Sequence, residues 1–209
     1  ITADALVSLN QRFYVDLGAD LEQLGVVHDL AERPDKSPLA YCDFLRRGRY
    51  AEDGTWRPTT ARIVGTYTFG GLFSMNELVH ENGHVVHMMA LQTRPAFMDL
   101  GDPLFYEAFA DVPSWSTYEP AWQQKYLGRR SAEESSLRAL YSSVMLDVAW
   151  ALFELRMLRA PTQDPNAVWT EITSRYLHVT PHPELSWWLV RVQLVHLPEQ
   201  HERDDHGGR

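Results

Sequence analysis

Lysine is nearly missing from this 209-residue chain. Of nineteen basic residues only Lys36 and Lys125 are lysine, and the formal net charge is −9. Neither that balance nor any basic run offers a footprint for a phosphate backbone, so nucleic acid is not an expected partner. Cysteine is scarcer still. The single Cys42 excludes an internal disulfide and a zinc ribbon, and its expected role is a buried structural thiol. No apolar run approaches the roughly 18 residues that mark a membrane span, and no stretch resembles a signal peptide, so no membrane partner is expected. No internal repeat and no linker interrupts the sequence, which predicts one domain over 1–209 with a flexible polar tail at 199–209. What is present, 44% hydrophobic and 11% aromatic residues, suffices for one substantial core.

The stretch Met75 to Gln92, MNELVHENGHVVHMMALQ, contains His80-Glu81-Asn82-Gly83-His84, an HExxH motif. On a helix, residues four apart share a face, so His80 and His84 can offer imidazole nitrogens to one Zn2+ ion. Glu81 is offset by about a quarter-turn, which suits a carboxylate that works on a zinc-bound water as general base instead of ligating. Ser74-x-x-Glu77 reads as a capping box, and Leu78, Val79, Val85, Val86, Met89 and Leu91 supply a broad apolar face; Pro95 stops the helix. Gly83 inside a helix costs about 1 kcal/mol relative to Ala, which predicts that something packs closely against it. Random order would give an HExxH in about 3% of chains of this composition, so the motif needs a third ligand to become specific.

Gly101-Asp102-Pro103 is a helix start, with Asp as N-cap and Pro at the first helical position, leading into LFYEAFADV. Glu107 follows His84 by 23 residues, and Asp111 lies one turn further on. The pair allows Glu107 to complete the metal site while Asp111 accepts the remaining N–H of a ligating imidazole. Two carboxylates among Phe105, Ala108, Phe109 and Val112 would be costly to bury without such partners. A solvated acidic face is the ordinary alternative for a Glu/Asp pair at this spacing.

Elsewhere, residues 3 to 16 carry Ala5, Leu6, Leu9 and Phe13 at helical spacing behind Thr2, which predicts a packing helix. From Arg33 to Pro58 the chain reads as loops around a short segment at Ala40 to Arg46. Ala61 to Phe69, ARIVGTYTF, is β-branched and aromatic, ends at Gly70-Gly71, and predicts a strand. After Val112 the expectation is helix almost throughout: Tyr118 to Leu127 closing at Gly128, then a long helix capped by Ser131-x-x-Glu134. Leu137, Leu140, Tyr141, Val144, Val148, Leu152 and Leu155 form a stripe on it that reads as core. Further helices are expected from Asp164-Pro165 to about Leu177 and from Pro183 to about Leu197.

HENGHVVHMM followed by FYEAFADV resembles the zinc peptidases that use two His of HExxH and a downstream Glu, in particular the angiotensin-converting enzyme family. That family shows His-Glu-Met-Gly-His and then a Glu-Ala-x-x-Asp helix. RPDKSPLAYC, RIVGTYTFGG and GHVVHMMALQTR are more similar to the thimet oligopeptidase and oligoendopeptidase family. The likeness covers roughly residues 30 to 196. It implies a mainly α fold, an elongated helical zincin-type catalytic domain with a deep channel, and a small β-sheet edge near the metal helix that an extended peptide can join. The oligopeptidase register would make Asp111, in DVPSW, the third ligand; Glu107 is preferred, because the Glu-x-x-x-Asp pairing gives both carboxylates a role. His87 matches a His common after the motif in the oligopeptidases, and a packing role beside the site is expected for it.

A His and a Tyr stabilise the oxyanion in these families. The angiotensin-converting enzyme register maps that His onto His178, and the oligopeptidase register maps it onto His196. Trp187 or Trp188 stands where the first family has its Tyr, and the Tyr residues expected after His196 are absent. Because members of both families are several times longer, the resemblance also implies that this chain is the metal-bearing part of something larger, with an apolar face left for self-association or a missing partner segment. The expected function is a zinc metallopeptidase acting on short peptides, with His80, His84 and Glu107 on the metal, Glu81 as base, and His178 or His196 near the oxyanion. Two alternatives stand beside it: a zinc-binding but inactive domain that recognises peptides or a partner, and a metal-free helical protein in which HExxH is accidental.

Overall fold

The structure is a computed structural model that describes residues 1–37, 39–68, 70–94, 103–129 and 133–190. It is mainly helical, 58%, with a small mixed sheet, as the sequence leads one to expect. The chain, read from sequence as one domain, divides into two compact units, Ile1–Ser136 and Leu137–Arg209. Among the described residues no helix is long and apolar enough to cross a membrane.

The first unit begins with α1 (Ala3–Asp16), which buries Leu6, Phe13 and Tyr14. A short α2 (Leu21–Leu24) leads to β1 (Val27–Asp29); β2 (Tyr41–Arg46), a small hairpin of β3 (Arg49–Tyr50) and β4 (Trp56–Arg57), and β5 (Thr60–Val64) follow. The sheet order is β1-β5-β2, with β1 parallel and β2 antiparallel to β5. Two expectations are corrected here. The region from Arg33 to Pro58, read as loops around a short segment, contains the strand Tyr41–Arg46 at that segment and the β3–β4 hairpin after it, and the strand read as Ala61 to Phe69 ends at Val64. Moreover β5 lies in the centre, with a neighbour on each side, so the free edge of this sheet belongs to β1 and β2. Past Val64 the chain is held by Lys36, whose side chain is only 3% exposed. Its ammonium donates to the carbonyls of Asp29, Ala31 and Gly65 at 2.8, 2.9 and 2.6 Å. Three donors meet three acceptors, which is how a lysine can be buried at all.

The next helix, α3 (Gly71–Ala90), starts earlier than the capping box predicts. Its N-cap is Gly70, and Ser74 lies inside the first turns. Gly70 and Gly71 both have positive φ, 63° and 91°, which lets the chain turn sharply from the loop into the helix without a side-chain cap. Met75, Leu78, Val79 and Val85 are buried in one core with Ile63 and Ala61 of β5 and with Phe13 and Tyr14 of α1. Tyr14 Oη donates to the Val79 carbonyl at 2.6 Å, tying α1 to the middle of α3. The stop expected at Pro95 lies outside the described residues; the helix ends at Ala90.

Of the expected start at Gly101-Asp102-Pro103, Gly101 and Asp102 lie outside the described residues, and α4 (Pro103–Trp115) begins at Pro103. It crosses α3 closely at Gly83. A Cβ placed there would come within 2.7 Å of Ala110 Cα, so the predicted close packing partner of Gly83 is the backbone of α4. α5 (Pro120–Leu127) closes at Gly128 in the left-handed conformation and sends Trp122 and Tyr126 against Phe13, at 5.7 and 5.4 Å between ring centroids.

The second unit is built on the long helix α6 (Glu133–Arg159) and on α7 (Pro165–Tyr176), whose N-cap Asp164 accepts from the Asn166 amide at 3.0 Å. Ser131 of the expected cap of α6 lies outside the described residues. The stripe read as core is corrected in part. Leu137, Tyr141, Val148 and Leu155 are exposed, Leu140 and Val144 are partly buried and Leu152 packs against the core, which is centred on Ala149, Trp150 and Phe153 of this helix and Val168, Trp169 and Ile172 of α7. Trp150 stacks on Trp169 with centroids 4.1 Å apart. Periodicity marks which positions are apolar, whereas the buried edge depends on where one large aromatic pair can stack. The start of the helix expected from Pro183 is also corrected: among the described residues Pro183 and Glu184 form a turn and a short 3-10 segment, Trp187–Val190, follows, while the rest of the expected span lies outside them. Residues 191–209, including His196 and the tail, lie outside the described residues.

Candidate metal centre

Three side chains from two helices converge in the first unit. His80 and His84, one turn apart on α3, bring their Nε2 atoms to 3.0 Å from each other. Glu107 of α4 places Oε2 at 3.4 Å from His80 Nε2 and 3.5 Å from His84 Nε2. A tetrahedral Zn2+ with bonds of 2.0–2.2 Å requires its ligand atoms to lie about 3.3–3.6 Å apart. The donor set and its spacing therefore fit the ion, with only the imidazole pair needing to open by a few tenths of an ångström. The close approach at Gly83 sets the depth of the cluster, since it brings Glu107 within reach of both imidazoles.

Asp111, one turn beyond Glu107, has Oδ1 at 2.9 Å from His80 Nδ1. That contact fixes a proton on Nδ1, so that loss of the Nε2 proton would turn the Nε2 lone pair towards the cluster, the arrangement in which a carboxylate orients a ligating histidine. The structure thus places Glu107 at the cluster and Asp111 behind His80. Burial works against charge on His80, but the hydrogen bonds to Asp111 and Glu107 outweigh it and push its pKa up to about 10. The same two imidazoles, hydrogen-bonded to Glu107, hold that carboxyl far below its ordinary range. Groups arranged to stabilise a dication stabilise a proton when no ion is bound.

Glu81 is buried on α3 next to both imidazoles. Burial raises its pKa and the neighbouring histidines oppose that shift. His87 packs its ring among Phe105, Tyr106 and Phe109 at 5.5, 4.7 and 4.9 Å. The remaining site predictions fall in the second unit or beyond. His178 lies on the turn after α7, exposed, with φ of 55°. Trp188 already donates its indole N–H to Asn166 Oδ1 at 2.7 Å and packs on Phe153, so its donor is engaged inside that unit; Trp187 is half-exposed.

Several residues around the motif carried no readable signal. Asn82, fully buried, donates to the Leu78 carbonyl at 2.8 Å and accepts at Oδ1 from His28 Nε2 at 3.1 Å, which fastens α3 to β1. Cys42 on β2 is half-buried, and burial together with the charge of Glu81 pushes its thiol up to about 12. No protein-family model and no curated protein matches the chain.

Proposed function

We propose that the chain is a zinc-dependent peptide hydrolase with a zincin-type catalytic core. One observation carries this reading: three donor atoms of types preferred by zinc, 3.0–3.5 Å apart, beside a buried glutamate on the same helix. His80, His84 and Glu107 would hold the ion. Zinc held there supplies a Lewis acid for a scissile carbonyl and lowers the pKa of a water towards about 7. Glu81 would be the group that takes up a proton beside the cluster and releases it to a departing amine nitrogen; its burial, by favouring the protonated form, suits a group that must hold a proton between two steps. Asp111 keeps the His80 ring in register. An extended peptide is the substrate, and β2 is the strand it would join: among the described residues its outer side has no strand partner, and Cys42 on it feels the charge of Glu81.

The test is hydrolysis of a quenched fluorescent peptide library by zinc-loaded protein beside the Glu81→Gln variant. Turnover that falls at least about 10²-fold in the variant supports the assignment; equal signals from both sink it. The alternative of a zinc-binding domain without turnover draws on Trp188, whose indole N–H is spent on Asn166 and so is not free for an oxyanion. Stoichiometric zinc, lost in His80→Ala, with no cleavage of any peptide would favour that second reading.

A further inference from the structure

The second unit has a pocket of about 270 Å³ between the C-terminal parts of α6 and α7 that takes no part in the metal centre. Its lining joins apolar surface from Leu152 and Ile172 to three guanidinium groups, Arg156, Arg159 and Arg175, and a single carboxylate, Glu171. Arg156 Nη2 lies 2.9 Å from Glu171 Oε2, and Arg175 sits 5.3 Å from the Tyr176 ring centroid. Among the described residues Arg159 has no hydrogen-bond or ion-pair partner. Three cations against one anion leave two positive charges uncompensated, on a chain whose net charge is −9. The favourable field of a helix C-terminus accounts for each arginine singly, since Arg156 and Arg159 are in the last turn of α6 and Arg175 in that of α7. It does not account for their gathering around one partly apolar concavity, where like charges repel.

We propose that this pocket binds a small organic anion, a carboxylate or phosphate ester with a short apolar body. Arg159 and Arg175 take the anionic head through charge-assisted hydrogen bonds, which guanidinium forks make with either group. The apolar lining takes the body, and Glu171 acts as an internal competitor that occupies Arg156.

The experiment titrates the full chain with hexanoate, hexyl phosphate and hexylammonium, following amide and arginine Nε–H resonances. Saturable binding of at least one of the two anions, with none of hexylammonium, is expected, and the tighter of the two identifies the head group. Arg159→Gln and Arg175→Gln should each weaken it by about tenfold or more, as loss of a charge-assisted hydrogen bond does. Glu171→Gln should tighten it by freeing Arg156, a change that misfolding would not imitate. Arg49→Gln, on β3 of the first unit, should leave it unchanged. The proposal is overturned if neither anion saturates, if hexylammonium binds equally, if both arginine variants bind as the parent does, or if Glu171→Gln fails to tighten binding.

Discussion

Replacing Gly83 by alanine probes whether the crossing of α3 and α4 sets the metal centre. Taken alone, the substitution should stabilise α3, because alanine is favoured over glycine in a helix interior by about 1 kcal/mol. Against this stands the 2.7 Å that would separate the new Cβ from Ala110 Cα, with Ala110 Cβ at 3.2 Å. Reaching an ordinary carbon contact of about 3.5 Å requires the helices to part by roughly 0.8 Å, and the obstacle is backbone, which cannot rotate away. Overpacking of this kind costs about 1–3 kcal/mol, so after the propensity gain of about 1 kcal/mol the net expectation is a loss of up to about 2 kcal/mol in unfolding free energy. A parting of that size carries Glu107 away from His80 and His84, whose 3.4 and 3.5 Å separations already match zinc. Zinc affinity should then fall by about tenfold or more, read by competition with a chromophoric chelator alongside thermal unfolding. The double variant Gly83→Ala, Ala110→Gly removes only the 3.2 Å contact and should rescue only part of either loss. If Gly83→Ala unfolds at the same or a higher temperature and binds zinc unchanged, the crossing does not set the site and the reasoning fails.

Three further outcomes can be checked. Asp111→Ala should weaken zinc about 10–100-fold by competition titration while leaving binding measurable, whereas loss of all binding would make Asp111 a ligand. Lys36→Met should destabilise the first unit by about 2–4 kcal/mol in a denaturant titration, because three carbonyls that now accept from one ammonium lose their partner. Cys42 should alkylate slowly when folded: its pKa, raised to about 12, leaves about one thiolate in 10⁴ at pH 8, compared with about a quarter for a free thiol. The rate with iodoacetamide should rise steeply with pH and jump on unfolding in urea; a folded-state rate equal to the unfolded one would contradict the burial.

Much of the metal centre is readable in the sequence because its logic is local. His80 and His84 are one helical turn apart, Glu107 and Asp111 are one turn apart, and both helices announce themselves by periodicity. What pairs the two helices is also visible, as an unexplained Gly83, although only the structure identifies Ala110 as the other half. The unread parts depend on distance along the chain. His28 meets Asn82 across 54 residues and Tyr14 meets Val79 across 65, and no short-range pattern encodes either pairing. Which strand lies in the middle of a sheet is likewise a pairing question, so β5 carried the strongest strand signal and still gave no sign of having two neighbours. The start of α3 was misjudged for a different reason. A Ser-x-x-Glu spacing is common inside helices, and two glycines at positive φ outweighed it.

The scarcity of lysine and the burial of Lys36 together make amine chemistry on this protein almost single-valued. The chain has two lysines, and one has its ammonium closed in by three carbonyls. Lys125, with 61% of its side chain exposed and held at the surface by Asp16 and the Tyr126 ring, is the lysine that a succinimidyl dye, a cross-linker or an acetyl donor reaches. It sits on α5, on the lining of an apolar groove of about 640 Å³ that also includes Phe109 and Trp122. A reporter attached through that amine therefore stands at one known position in the first unit, where its emission would register whatever enters the groove.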